Sequence, residues 1–205
     1  DLAESGYLVY LVDTSPSIGG VMAQLDKTFP TNDCAACILS PKLVECGRHL
    51  NINLLTNAEV KDIEGEAGNF QVKVSRKARY IDAEKCTGCG ECAKHCPARA
   101  ISEYDQGLRQ RSAIYVTYPQ AVPRTYVIDR ENCIGCGLCE KMCVAGAVRY
   151  ADKEETEILN VGAVILCLGY GLCDPKPYYE YGYSRYPNVV TSLEFERLLS
   201  ATGPY

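Results

Sequence analysis

Two stretches decide the reading: Cys86-Thr-Gly-Cys89-Gly-Glu-Cys92-Ala-Lys-His-Cys96-Pro97 and Cys133-Ile-Gly-Cys136-Gly-Leu-Cys139-Glu-Lys-Met-Cys143. Each has the spacing C-x2-C-x2-C-x3-C. An iron–sulfur cluster needs four soft thiolates converging from several directions. Three cysteines at this spacing wrap one corner of a cubane from a tight loop. That loop passes close to the sulfides, so Gly88, Gly90, Gly135 and Gly137 remove side chains where the backbone turns. Their amides can donate to cluster sulfurs, one of the levers on potential. Pro97 turns the chain away after the fourth ligand, and Val144 holds that place in the second run.

The spacing is that of bacterial ferredoxins, in which the fourth cysteine of each run ligates the other cluster. The expected wiring is therefore crossed. Cys86, Cys89, Cys92 and Cys143 hold one [4Fe-4S] cluster, and Cys133, Cys136, Cys139 and Cys96 hold the second. Structural zinc sites usually show two C-x2-C pairs rather than triplets with a remote fourth. Disulfide frameworks suit small secreted chains, and no apolar segment here follows a basic start.

The 205 residues allow one or two domains, with 47% hydrophobic and 23% charged residues, ordinary values for a globular protein. No apolar stretch approaches the roughly 20 residues of a membrane span. Thirteen cysteines without a secretion signal point to a reducing interior, expected to be the cytoplasm, and to metal binding. A formal charge of −5 gives no basic footprint for nucleic acid. The sequence starts without Met and stops at Ala-Thr-Gly-Pro-Tyr205, and it reads as a fragment of a longer polypeptide.

Outward from the cysteines, the pattern is α/β. Asp1–Ser5 reads as a last helical turn capped by Gly6. Tyr7–Val12 is an apolar run of strand length ending at Asp13. A buried parallel strand with an acidic residue at its carboxyl end is the second half of a dinucleotide-binding unit, where the acid receives ribose hydroxyls. The glycine-rich fingerprint would lie upstream of residue 1. Thr14-Ser-Pro-Ser-Ile-Gly19-Gly20 is a polar turn with paired glycines. Val21–Asp26 predicts a short helix, Ile38–Cys46 an amphipathic helix, Asn51–Val60 a strand, Lys61–Gly68 a turn, and Phe70–Val74 an edge or hairpin strand. Residues 97–132, between the runs, are more than a minimal two-cluster ferredoxin needs and predict an extra hairpin or loop. Arg109 and Arg111 there are open to two readings, contact with an acidic cofactor or partner and simple solvation. Ile158–Leu168 predicts a buried strand opening into the turn Gly169-Tyr170-Gly171. Tyr170–Tyr186 predicts an extended loop with packed aromatics. Thr191-Ser-Leu-Glu194 is a capping box for a helix through Ser200, with Gly203 beyond it. The cysteine unit at 81–157 thus sits as an insert between 1–80 and 158–205.

These segments resemble the heterodisulfide reductase A-subunit family. The resemblance is carried by Ser15-Pro-Ser-Ile-Gly-Gly20, by Leu25-Asp-Lys-Thr-Phe-Pro-Thr-Asn-Asp-Cys34 and by Cys37-Ile-Leu-Ser-Pro-Lys42. It continues through both cysteine runs, Tyr118-Pro-Gln-Ala-Val-Pro123 and Asn188-Val-Val-Thr-Ser-Leu-Glu-Phe-Glu196. It implies an incomplete thioredoxin-reductase-like, Rossmann-type FAD-binding domain with an inserted α+β domain of bacterial-ferredoxin type holding two [4Fe-4S] clusters. It implies FAD with Asp13 at the ribose and Thr14, Ser15, Gly19 and Gly20 beside it. Thr28, Phe29 and Thr31 would lie towards the flavin ring, and Val60 and Gly169 would make backbone contacts. No residue is needed as a proton-transfer catalyst, since the cofactors carry the chemistry. The implied activity is that of an oxidoreductase component relaying electrons between FAD and clusters, with flavin-based bifurcation in anaerobes. The implied partners are other components of a heterodisulfide-reductase-like complex, an electron-donating hydrogenase or dehydrogenase, and ferredoxin. The alternatives are a passive wiring module without flavin, or the same component in a quinone-interacting oxidoreductase or a benzoyl-CoA reductase complex.

Cys34 and Cys37 admit three readings: ligands of a third [4Fe-4S] cluster, a dithiol/disulfide beside the flavin, or a pair of small buried residues. Cys46 falls on a helical pattern and Cys167 in mid-strand, both expected in the core. Cys173 is undecided, and His49 and His95 have no ligand constellation.

Overall fold

The computed structural model describes residues 1–169 and 171–205. One helical turn opens the chain, with Ser5 N–H donating to the Asp1 carbonyl at 2.9 Å and Gly6 turning it at φ 91°. β1 (Val9–Asp13) pairs in parallel with β2 (Ile52–Thr56), Leu11 opposite Leu54 and Asp13 opposite Thr56. A parallel pair needs a crossover. It is supplied by a 3-10 turn at Val21–Gln24 and by α1 (Ala35–Arg48), which is longer at both ends than its apolar pattern predicts.

The strand expected at 51–60 is two strands. Asn57 takes φ 57°, its side-chain amide donates to the Lys77 carbonyl at 2.9 Å, and the chain leaves the parallel pair there. Asn enters this left-handed region more readily than most residues. β3 (Ala58–Glu66) then runs through most of the stretch predicted as a turn and pairs with β4 (Asn69–Arg76). Its side chains beyond Glu59 are exposed, so no apolar alternation marked it as a strand.

Residues 77–154 leave the sheet. They contain α2 (Glu91–Lys94), β5 (Arg99–Ile101), β6 (Gln110–Ser112), β7 (Ile114–Tyr115), β8 (Val127–Ile128) and α3 (Leu138–Met142). β5 and β6 form the predicted extra hairpin, and β7 pairs with β8. A core of Ile81, Ile114, Ile128 and Ala147 surrounds buried Cys92 and Cys139. The chain returns as β9 (Glu155–Val161), antiparallel to β4, which is therefore the middle strand rather than an edge. Arg76 stands opposite Glu155, so the segment's two ends are neighbours. Leu55, Ala58, Val72, Val74 and Leu159 form the core of this part.

The buried strand expected over 158–168 is a second correction. Only its first residues lie in β9, and 163–168 have no regular structure, with Ile165, Leu166 and Leu168 exposed. A buried strand needs neighbours on both edges, and β1 pairs only with β2 among the described strands. The centre of the expected glycine turn, Tyr170, lies outside the described residues. The tyrosine-rich loop holds a short 3-10 turn at Tyr179–Tyr181. α4 (Ser192–Leu199) has the predicted capping box: Thr191 Oγ1 accepts from Glu194 N–H at 3.2 Å, and Glu194 Oε2 from Thr191 N–H at 2.6 Å.

The middle of the 77–154 segment also packs onto the first part of the chain. Ile18, Leu43, Tyr104, Tyr118 and Ala121 share one core. Tyr104 and Tyr118 stack with ring centroids 5.4 Å apart. Their hydroxyls donate to the carbonyls of Ala23, at 2.8 Å, and Ile18 respectively. Ile18 also bridges Val122.

Candidate functional site

The geometry of the eight run cysteines begins with glycine. Gly88, Gly90, Gly135 and Gly137 sit at φ between 67° and 91°, conformations that L side chains resist. Gly90 and Gly137 are the residues from which α2 and α3 start, and the two short helices pack together. This brings the runs face to face. Cys96 of the first run lines one cavity with Cys133, Cys136 and Cys139 of the second, closed by Ile114, Ile128, Ile134 and Tyr150. In the other half, burial pushes the Cys92 thiol up to about 12, and the thiols whose charge adds to that rise are Cys86, Cys89 and Cys143. Each run thus offers three sulfurs to one side and its fourth to the other.

The donor set suits iron–sulfur clusters. A buried thiol held so high is a poor anion on its own, and a cationic centre supplies what makes it a thiolate. Among the described residues, no three His, Cys, Asp or Glu side chains gather closely enough for a single metal ion. A tetrahedral zinc would draw its sulfurs to about 2.3 Å from one point, whereas a four-iron cluster gives each thiolate its own corner. Donors to these sulfurs are also present. Gly135 N–H donates to Cys133 at 3.5 Å, Ala147 N–H to Cys143 at 3.3 Å, and the Tyr150 hydroxyl lies 3.1 Å from Cys139 Sγ.

The expected flavin contacts fall in two groups. Asp13 stands at the carboxyl end of β1, half-buried, with Oδ1 accepting from Ser15 N–H at 2.8 Å. Desolvation holds its carboxyl above the usual range. Thr14, Ser15, Gly19 and Gly20 continue the same turn, and Gly20 faces open space. Thr28, Phe29 and Thr31 form a tight loop closed by Thr28 N–H on the Asp33 carbonyl at 2.9 Å, with Phe29 97% exposed at its tip. The acidic strand end and the open glycine turn fit a ribose and a close backbone approach. Val60 is exposed on β3, and Gly169 lies in the exposed irregular stretch.

The remaining cysteines differ from expectation in one place, Cys167. Cys34 and Cys37 are joined in a disulfide, Cα atoms 5.2 Å apart, at the start of α1. Of the three readings of this pair, the dithiol/disulfide is the one this arrangement matches, and in the reduced form both sulfurs would be free to act as thiolates. Cys167, expected in a buried strand, is exposed because that strand does not form. Cys46 packs on the Ile18–Leu43 core, as its helical position predicts. His95 Nδ1 lies 2.9 Å from the Glu91 carbonyl, and His49 Nδ1 accepts from Asn51 N–H at 3.1 Å.

Three arginines have partners that the sequence reading left open or did not mark. Arg109 and Arg111 are both paired with carboxylates of the chain itself. Arg109 Nε donates to Asp105 at 2.5 Å, and Arg111 pairs with Glu103 and Asp129 at 2.9 and 3.0 Å. Arg79 donates to the carbonyls of Pro16 at 2.8 Å and Thr125 at 3.3 Å, joining the Asp13 turn to the cysteine unit. No motif marks Arg79, since its partners are remote in sequence.

Residues 79–102 and 126–149 each match the 4Fe-4S binding domain family. The comparison with whole proteins covers the entire chain. It is 54% identical to an iron–sulfur A-subunit of the CoB–CoM heterodisulfide reductase of Methanopyrus kandleri. It is 49% identical to the A-subunit of the H2:CoB–CoM heterodisulfide, ferredoxin reductase of Methanothermobacter marburgensis. The chain is homologous from end to end to the heterodisulfide reductase A-subunit. The Methanosarcina mazei A-subunit, named for ferredoxin and CoB–CoM heterodisulfide, is 43% identical. The chain spans 31% of the first two of these relatives and 26% of the third. Among the described residues, no helix is long and apolar enough to cross a membrane.

Proposed function

We propose that the chain holds two [4Fe-4S] clusters with crossed ligation and relays electrons between them and FAD. It would do so within a heterodisulfide-reductase-like complex that bifurcates electrons at the flavin. The observation that carries the ligation is the single cavity shared by Cys96 and the Cys133, Cys136 and Cys139 triplet. In this reading 81–157 is an inserted ferredoxin-like domain, and 1–80 and 158–205 belong to one FAD-binding domain. The pairing of Arg76 with Glu155 supports an insertion, because both ends of the segment return to one ladder.

When bound, the clusters supply one-electron chemistry and FAD one- and two-electron chemistry. The chain's own residues bind and shield. Ile114, Ile128 and Ile134 exclude water around the second thiol set. The glycine loops bring amides towards the sulfurs. Asp13 accepts ribose hydroxyls, and its raised pKa keeps that role for pH values above the ordinary carboxylate range. The other components of the complex, a hydrogenase or dehydrogenase donor, and ferredoxin would be the partners. The names of the Methanothermobacter and Methanosarcina relatives support ferredoxin and the heterodisulfide.

Two measurements test this. Anaerobic reconstitution of the chain should give about eight irons, four per cluster, and a count near four would overturn the double site. In the full-length protein, Asp13→Asn should weaken FAD by roughly tenfold to a hundredfold, the 1.5–3 kcal/mol of hydrogen bonds to a charged group. Unchanged flavin affinity would remove Asp13 from the site.

A further inference from the structure

The two thiol sets are not equivalent, and one difference is a side-chain hydrogen bond to a sulfur. The Tyr150 hydroxyl is 3.1 Å from Cys139 Sγ, and Tyr150 lines the cavity that Cys139 shares with Cys96, Cys133 and Cys136. Among the described residues it is the only side chain hydrogen-bonded to any of the eight run cysteines; the other donors are backbone amides. The first run has no counterpart. The shift that places Cys86 on Cys133 and Cys92 on Cys139 places Glu103 on Tyr150. Glu103 is turned away onto Arg111 through two contacts of 2.9 Å.

Tyr150 is also held in place. Asp82 N–H donates to the Ala147 carbonyl at 2.7 Å, and Arg149 N–H to the Tyr80 carbonyl at 2.9 Å. On its other side, Asp152 Oδ2 accepts from Arg79 N–H and Tyr80 N–H, both at 2.8 Å. Its ring packs on the core that contains Ile81 and Cys139. The hydroxyl is therefore pointed at the sulfur by fixed backbone on both flanks.

We propose that Tyr150 sets the second cluster's reduction potential above the first by donating a hydrogen bond to Cys139, making the two clusters an ordered pair. The inference rests on the two-cluster reading. A cluster-bound Cys139 is a thiolate and can only accept, so the hydroxyl is the donor. Reduction adds negative charge to the cluster, and a donor on a ligating sulfur stabilises the more negative state, raising the potential. The site then favours one direction: an electron entering at the Cys86, Cys89, Cys92 and Cys143 set runs downhill to the set that Tyr150 touches.

The test is a redox titration of the full-length protein followed by electron paramagnetic resonance. Tyr150→Phe keeps the ring and removes the donor. One cluster's midpoint should fall while the other stays. Difluorotyrosine at position 150 strengthens the donor at nearly constant shape and should move the same midpoint upward. That second variant still decides if Tyr150→Phe fails to load iron. Two unmoved midpoints, or two that move together, would overturn the proposal. A native protein that carries only one cluster would instead remove the two-cluster reading on which it rests.

Discussion

Asp105→Asn should destabilise the folded chain by about 3–5 kcal/mol, the loss expected when one partner of a buried ion pair is removed. Arg197 and Asp105 are both fully buried. Asp105 Oδ1 accepts from Arg197 Nε at 3.1 Å and Nη2 at 3.0 Å. Its Oδ2 accepts from the Ser102 hydroxyl at 2.9 Å and from Arg109. Arg109 is half-exposed, and water can solvate it once the carboxylate is gone, so its share is small. Arg197 has no such recourse. The amide would leave its charge with the Thr202 carbonyl at 2.8 Å, the Gln24 carbonyl at 3.3 Å and the Tyr104 ring at 4.3 Å. Arg197→Met is the milder change, because Asp105 keeps Ser102 and Arg109. The double variant should lose less than the sum of the singles. Anaerobic urea unfolding of the cluster-loaded chain, followed by circular dichroism, measures this. With a dependence of about 1–3 kcal/mol per molar urea, the Asp105→Asn midpoint should fall by at least about 1 M. A loss under about 1 kcal/mol, or strictly additive singles, would refute the claim that this pair ties α4 to the 77–154 segment.

Three further outcomes are expected. Serine at Cys133 and Cys96 together should remove about four irons, one cluster, whereas serine at Cys133 and Cys143 should disturb both clusters; the reverse iron counts would mean uncrossed ligation. Gly88→Ala and Gly135→Ala both place a side chain at positive φ, at about 1–2 kcal/mol each. Only at Gly88 would the new Cβ also meet a backbone oxygen, that of Arg124 at 2.7 Å, so Gly88→Ala should lose more stability and iron than Gly135→Ala. In the oxidised protein, iodoacetamide should label exposed Cys167 and Cys173 but reach Cys34 and Cys37 only after a dithiol reductant, and mass spectrometry reads the order.

What the sequence made legible was the part governed by local chemistry. Cluster ligation fixes cysteine spacing within a few residues, and the glycines between them were readable because the turns they permit are local. Thr191 and Glu194 declared the start of α4 in the same way. Pairing across distance was not legible. β3 is exposed along nearly its whole length, so no alternation separated it from a turn. β9 exists because β4 offers an edge, and the more apolar residues after it, 163–168, find none. Apolar content stated that those residues favour burial, but only the arrangement of neighbouring strands decides whether burial happens. Tyr150 was unreadable for a related reason: its role depends on the backbone flanking it, which aims the hydroxyl at a cysteine eleven positions away.

The 77–154 segment could have been a tethered one, joined to the sheet only where Arg76 meets Glu155. Its other contacts argue for a fixed one. Tyr104 and Tyr118 reach the carbonyls of Ala23 and Ile18, on either side of the paired glycines expected beside FAD. Gly19 turns at φ 126°, and a Cβ there would meet the Tyr118 hydroxyl. Arg79 binds the Pro16 carbonyl from the start of the cysteine unit, and Arg197 on α4 closes over Asp105. Each tie alone is worth on the order of 1 kcal/mol where it is a neutral hydrogen bond, and the buried ion pair more. Together they hold the turn that would face the flavin and the loops that would hold the clusters in one packed unit. In the proposed relay, electron transfer between cofactors would require a constant separation more than any reacting side chain, and these buried contacts would maintain it.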